Sequence, residues 1–217
     1  VIFWANLKLS IYQEVIYDDI AVIAEDQLML RKAMVQLIEM HEEMNVIKDF
    51  ENGVEALEFI ENNEPNVAIL DIEIPGITGL EILSYVRKKQ LNTRIIIVTT
   101  FKRPGYFEKA VANDVDAYVL KERSIDDLIK TIYKVTKGEK EYSPSLMTSL
   151  FTESNPLTHK EQVVLREIGN GLSSKEIASK LYLSNGTVRN YTSTIIDKMN
   201  SDHRFEAWKK ANEKGWI

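Results

Sequence analysis

The stretch Val67-Ala-Ile-Leu-Asp-Ile-Glu-Ile-Pro-Gly-Ile-Thr-Gly79 decides how this chain is read. Four apolar residues make a buried strand, and an acid, Asp71, stands where the strand ends, ahead of a Pro-Gly turn. A lone Asp in that place is a cap for a loop. Its meaning depends on what stands at the ends of the other strands.

Outward from this stretch, strand and helix alternate. Ile20–Ala24 is a short apolar run, followed by a helical pattern in Leu28, Leu30, Met34, Leu37 and Ile38. A strand at Asn45–Asp49 precedes a helix from Gly53 to Asn63 with Val54, Leu57 and Ile60 on one face. After Val67–Leu70 come a helix near Gly79–Lys89, a strand Arg94–Thr99, a helix around Tyr106–Ala112 and a strand Asp116–Leu120. The last helix opens at Ser124, where Ser-Ile-Asp-Asp127 reads as a capping box with Asp in the usual Glu place. This alternation predicts an α/β fold, a five-stranded parallel, doubly wound sheet covered on both faces.

In such sheets, sites gather at the carboxyl ends of the strands. The first strand ends at Glu25-Asp26, the third at Asp71, the fourth at Thr99-Thr100 and the fifth at Lys121. Three carboxylates, a hydroxyl and an ammonium therefore converge on one rim. Clustered carboxylates repel unless a cation neutralises them. Oxygen ligands favour a hard ion, and Mg²⁺ uses one or two carboxylates together with phosphate oxygens. A carboxylate held there attacks a phosphoryl group to give an acyl phosphate, while Lys121 offsets charge on the transferring oxygens and Thr99 donates a hydrogen bond to them. The loop Glu25–Leu30 lacks the glycines of a dinucleotide fold, which disfavours nicotinamide and flavin enzymes.

Composition sets the outer bounds. The 217 residues include 44% hydrophobic side chains, five prolines and no cysteine. This is globular composition, with neither a disulfide framework nor a thiolate metal site, and it fits a reducing, cytoplasmic setting. No apolar run approaches the roughly 20 residues of a membrane span. The opening residues lack a basic lead-in and a small-residue cleavage site, so a signal peptide is not expected. The net charge of -6 is unevenly spread, with residues 155–217 carrying 10 Lys/Arg against 7 Asp/Glu. An acidic front and a mildly basic back predict two modules with different partners.

Residues 18–137 resemble the receiver domain of bacterial two-component response regulators. Glu25-Asp26, Asp71 before Ile-Pro-Gly, Thr99, Tyr118 and Lys121 match that family's motifs in order and spacing. The resemblance implies that Asp71 accepts phosphate from a sensor histidine kinase. It implies that Asp26, Asp71 and the carbonyl of Glu73 ligate Mg²⁺, with Glu25 acting through water, and that Thr99 and Tyr118 form a switch pair. Glu122 departs from the family, where many receivers have proline.

Residues 138–156 read as a polar linker with a short apolar helix at Pro144–Phe151, and residues 1–17 as an extension of unassigned role. Beyond the linker, Thr158-His-Lys-Glu161 and Ser173-Ser-Lys-Glu176 are capping boxes that open short amphipathic helices. Gly171 stops the first, and a third helix begins near Gly186 with Val188, Tyr191, Ile195 and Met199 on its buried stripe. Two helices joined by a short turn predict a small all-α helix-turn-helix domain. Arg189, Asn190 and Ser193 then point outward near the start of the recognition helix, placed for base edges, while Thr187 and Lys175 are placed for phosphates.

Residues 155–217 resemble the LuxR-type DNA-binding domain, with the domain itself set at 157–217, through Leu157-Thr, Glu161, Val164-Leu, Gly171-Leu-Ser-Ser-Lys-Glu-Ile-Ala178, Leu181-Tyr-Leu-Ser and Thr187-Val. Lys160, Ser174 and Tyr191 depart from the commoner residues of that family. Together the two resemblances imply a NarL/FixJ-type response regulator, which dimerises on activation and binds double-stranded promoter DNA. Such a chain is a regulator and not an enzyme. The segment Thr99–Phe107 further resembles regulators of membrane-lipid fluidity in Gram-positive bacteria. Two other readings stay open: a constitutive DNA-binding protein whose receiver does not switch, and an aspartyl-phosphate phosphotransfer enzyme. The latter wants a second Asp where Glu73 stands.

Overall fold

The computed structural model describes residues 19–41, 44–100, 103–147 and 155–217. The extension 1–17, residues 101 and 102 of the Thr99–Phe107 segment, and Leu150 and Phe151 of the expected linker helix lie outside them. The chain divides into two compact units. One runs to Phe101 and resumes over Ala110–Ser143; the other takes in Lys102–Lys109 and Pro144–Ile217.

Strands β1 (Asp19–Ala24), β2 (Met44–Phe50), β3 (Val67–Leu70), β4 (Arg94–Thr99), β5 (Ala117–Leu120) and β6 (Glu141–Tyr142) of the first unit alternate along the chain with helices α1 (Leu28–Glu39), α2 (Gly53–Asn63), α3 (Gly79–Lys89), α4 (Pro104–Ala112) and α5 (Ile125–Thr136), of which only α4 falls mostly in the second unit. The sheet is parallel throughout, in the order β2-β1-β3-β4-β5-β6. Every residue of β3 and β5 is buried, and β4 is buried beyond Arg94. That is what a parallel sheet covered by crossover helices demands of its central strands. The core under one face joins Ile23, Ile69, Ile96 and Val98 to Met34, Ile38, Leu128 and Ile132. Each such buried aliphatic side chain contributes about 1.5–3 kcal/mol.

The sheet has one strand more than expected. The two residues of β6 are polar and half-buried, so no apolar periodicity marks them. They are recruited by Glu141 N–H donating to Asp116 O (3.1 Å) and Ser143 N–H to Tyr118 O (3.0 Å), and by Arg123 and Lys134, which both pair with Glu141 at 2.8 Å. Two expected apolar stripes are also narrower. On α2, Ala56 and Ile60 face the core while Val54 is half exposed. On α1, Met34 and Ile38 are buried but Leu28, Met29 and Leu37 are exposed.

The second unit holds α6 (His159–Gly169), α7 (Ser174–Lys180), α8 (Asn185–Lys198) and α9 (Arg204–Glu213). Both expected capping boxes form, Thr158 with Glu161 and Ser173 with Glu176. At α5, Ser124 Oγ accepts Asp127 N–H, but the shorter Asp carboxylate only takes the Ser124 hydroxyl and does not reach back to the main chain. The helical core gathers Leu165, Ile168, Ile177, Val188, Ile195, Ala207 and Ala211. A Cβ on Gly169 would lie 1.9 Å from Trp208 Nε1, so this position must be glycine for α9 to lie against α6. Among the described residues no helix is long and apolar enough to cross a membrane.

Candidate functional site

The strand ends meet as the alternation requires. Ala24 pairs with Leu70, Leu70 with Ile97, and Ile97 with Tyr118, so the residues that follow them share one rim. Asp71 N–H donates to Ala24 O at 2.9 Å, tying the acid to the end of β1. Ile72 N–H donates back to Asp71 Oδ1 at 2.7 Å. The chain must then turn sharply into α3: Gly79 N–H donates to Ile72 O, and a Cβ on Gly79 would lie 2.2 Å from the carbonyl oxygen of Asp71. The Pro-Gly turn supplies the other condition, Gly76 holding φ at +85°, in the left-handed region.

Within this frame, carboxylate oxygens of Glu25, Asp26 and Asp71 all lie within 4.8 Å of one another. Glu25 and Asp71 are buried, and Asp26 is exposed. Lys121 bridges the two buried acids, its Nζ standing 2.5 Å from Glu25 Oε2 and 3.0 Å from Asp71 Oδ2. Burial pushes the Glu25 carboxyl above its ordinary range, against the pull of Lys121. The Lys121 ammonium is itself pushed down by burial, but the two carboxylates outweigh that and raise it. Thr99 and Tyr118 are fully buried on the neighbouring strands, and Lys121 N–H donates to Thr99 O at 2.9 Å. Glu73 lies two residues beyond Asp71 with its side chain exposed, outside the carboxylate cluster. Three oxygen donors around one point, with an exposed member at the mouth, suit a hard cation.

Sequence reasoning passed over one buried charge at this rim. Arg31, on the first turn of α1, pairs with Asp49 at 2.9 Å and donates through Nη1 to the carbonyl of Glu25 at 2.6 Å. No local pattern joins residues so far apart along the chain.

The expected DNA-reading residues lie on the second unit. Arg189, Asn190 and Ser193 on α8, and Lys175 on α7, are exposed. Val188, Ile195 and Met199 are buried, which turns the opposite stripe outward. Tyr191, expected in the core, is only half-buried. Thr187 is partly committed elsewhere: Ser184 Oγ accepts its N–H at 3.0 Å, and the two hydroxyls lie 2.8 Å apart. Two further side chains frame this helix. Lys198 in its last turn pairs at 2.8 Å with buried Glu161, whose carboxylate also accepts Thr158 N–H. Tyr182, at φ +54°, is almost fully exposed in the turn between α7 and α8.

Comparison with known proteins separates the same two groups of residues. Residues 21–133 match the response regulator receiver domain, and residues 155–211 match the luxR family of bacterial regulatory proteins. The chain is 48% identical over 195 residues to the uncharacterized transcriptional regulatory protein YvfU of Bacillus subtilis, covering 90% of this chain and 98% of that one. It is 42% identical over 195 residues to the transcriptional regulatory protein DesR of the same organism, with 90% and 97% covered. A crystal structure of a LuxR-family DNA-binding response regulator from Staphylococcus aureus matches with a TM-score of 0.52 and 65% identity, over 54% of this chain and 97% of that one.

Proposed function

We propose that this chain, which belongs to the transcriptional response regulators of the NarL/FixJ type, accepts a phosphoryl group on Asp71 and thereby controls the pairing of its helix-turn-helix domain on promoter DNA. The receiver spans 18–137, the linker 138–156 and the DNA-binding domain 157–217. The observation that carries the reading is the bridge from Lys121 to Glu25 and Asp71, with Asp26 beside it at the mouth.

The donor is the phosphohistidine of a sensor kinase. A carboxylate oxygen of Asp71 forms the new O–P bond as the P–N bond to histidine breaks, and the electron pair of that bond stays on the imidazole. Glu25, Asp26, Asp71 and the carbonyl of Glu73 would hold Mg²⁺, which when bound offsets negative charge on the phosphoryl oxygens. Lys121 does the same from the chain's own side, already aimed at Asp71. Thr99 donates a hydrogen bond to the phosphoryl group, and Tyr118, already fully buried, is held inward by that change. The outcome is a shift between two pre-existing states of the rim and its helices.

A cytoplasmic homodimer follows from the DNA target, since two recognition helices read two half-sites. The exposed Leu28, Met29 and Leu37 of α1 supply apolar surface for the pairing, beside a cleft lined by Leu30, Met34, Ile125 and Leu128. Acetyl phosphate with Mg²⁺ tests the central claim. Intact mass should rise by one base-labile phosphoryl group, and Asp71→Asn should remove it. Label that persists on the Asn variant refutes the assignment.

A further inference from the structure

Arg31 lies outside every role assigned above, yet it is 5% exposed. A guanidinium stays charged at any pH the protein meets and carries five N–H donors. Burying one is costly unless those donors find partners. Its Nε donates to Asp49 Oδ2 at 2.9 Å, and its Nη2 faces Glu51 at 3.7 Å. Its Nη1 donates to Glu25 O at 2.6 Å and reaches Asp26 O at 3.4 Å.

The choice of acceptors is what matters. Glu25 and Asp26 supply two of the three clustered carboxylates. Arg31 takes their main-chain carbonyls and leaves their carboxylate oxygens to face Asp71. A guanidinium placed on the carboxylates themselves would compete with a cation for the same oxygens. Asp49 anchors the far side of the fork and balances its charge, and is itself anchored by Lys32 at 2.9 Å. The Asp49 carboxyl is pushed up by burial, but Lys32 and Arg31 outweigh that and hold it below its ordinary range. Glu25 N–H donates to Phe50 O at 3.0 Å, so the turn after β1 is strapped to the end of β2 by main chain and by side chain.

We propose that Arg31 is a positioning residue for divalent-cation binding, fixing the Glu25-Asp26 backbone from Asp49 so that both carboxylates are aimed at Asp71 before the cation arrives. The inference rests on reading Glu25, Asp26 and Asp71 as the Mg²⁺ site. Lys121 already draws Glu25 to Asp71, but that bridge does not include Asp26, whose charge mutual repulsion would otherwise turn away, and a cation would have to gather it at the expense of its own affinity. Lysine cannot replace the fork, because one ammonium does not span an aspartate and a carbonyl in fixed directions.

Calorimetric titration of the full chain with Mg²⁺, beside unfolding curves recorded without it, tests the idea on Arg31→Met, Arg31→Lys and Asp49→Asn. The Mg²⁺ Kd should rise on the order of tenfold in Arg31→Met, as for other residues that orient ligands without touching the metal. Arg31→Lys should recover only part of the loss, and Asp49→Asn should move the Kd in the same direction. A folded Arg31→Met with lowered stability and unchanged Kd overturns the proposal, because that is a structural role alone. Should Arg31→Met fail to fold, an unchanged Kd in Arg31→Lys and Asp49→Asn overturns it equally. Failure of the underlying reading looks different: Asp26→Asn would then bind Mg²⁺ as the unsubstituted chain does.

Discussion

Glu161 shows how much one buried carboxylate does in the smaller unit. It accepts Thr158 N–H at 2.6 Å, closing the start of α6, and Lys198 Nζ at 2.8 Å, holding the end of α8. Burial pushes its pKa up, but Lys198 and Thr158 outweigh that and leave it below the ordinary 4.5. Folding therefore favours the ionised form. The associated stability is complete above the unfolded pKa and is lost as pH falls through the lower folded value. Glu161→Gln keeps a side chain able to serve the cap and removes the charge. It should cost about 1 kcal/mol in denaturant unfolding at neutral pH, and the gap to the parent chain should close as pH falls through the depressed folded pKa. The capping half of this role was legible from Thr-x-x-Glu. The pairing with Lys198 was not, since 37 residues separate the partners and nothing local announces them. The same division holds at the carboxylate cluster. Asp71 and Lys121 stood out because strand ends are countable, whereas Arg31 and Asp49 are joined only by the fold.

Among elements, α8 carries the clearest consequence. Its buried residues Val188, Ile195 and Met199 recur at helical spacing, so the outward stripe with Arg189 and Asn190 could be read from sequence. A bidentate Arg–guanine contact discriminates by about 1–3 kcal/mol. Arg189→Ala should thus relax preference at one base pair of each half-site, seen by competition against single-base operator variants. Lys175→Ala, on α7, should weaken all sequences alike and reduce the salt slope by about one unit. Less was legible where an element depends on tertiary partners. Thr187 shares its N–H and hydroxyl with Ser184 at the helix start, so its reach toward phosphate competes with a cap. Strand β6 has no pattern of its own and exists because Asp116 and Tyr118 offer carbonyls to it.

For the molecule as a whole, the uneven charge along the chain anticipated two modules, and the contacts divide the chain into two units. What periodicity did not show is that the surface proposed to pair two copies is exposed. Leu28 and Leu37 of α1 look like core in a periodicity count, and only the fold leaves them outside, beside exposed Met29. Leu37→Glu should abolish phosphodonor-dependent dimerisation in sedimentation while phosphoryl incorporation on Asp71 continues. A dimer that persists in that variant moves the interface to another face.

The chain leaves the first unit at Ser143, whose amide is bonded to the carbonyl of Tyr118, with Tyr142 in register beside the same tyrosine. The exit of the chain is thus knotted to the backbone of the residue proposed to follow Thr99. Any displacement of that backbone would be felt, through the hydrogen bonds of β6, at the point where the chain leaves the sheet.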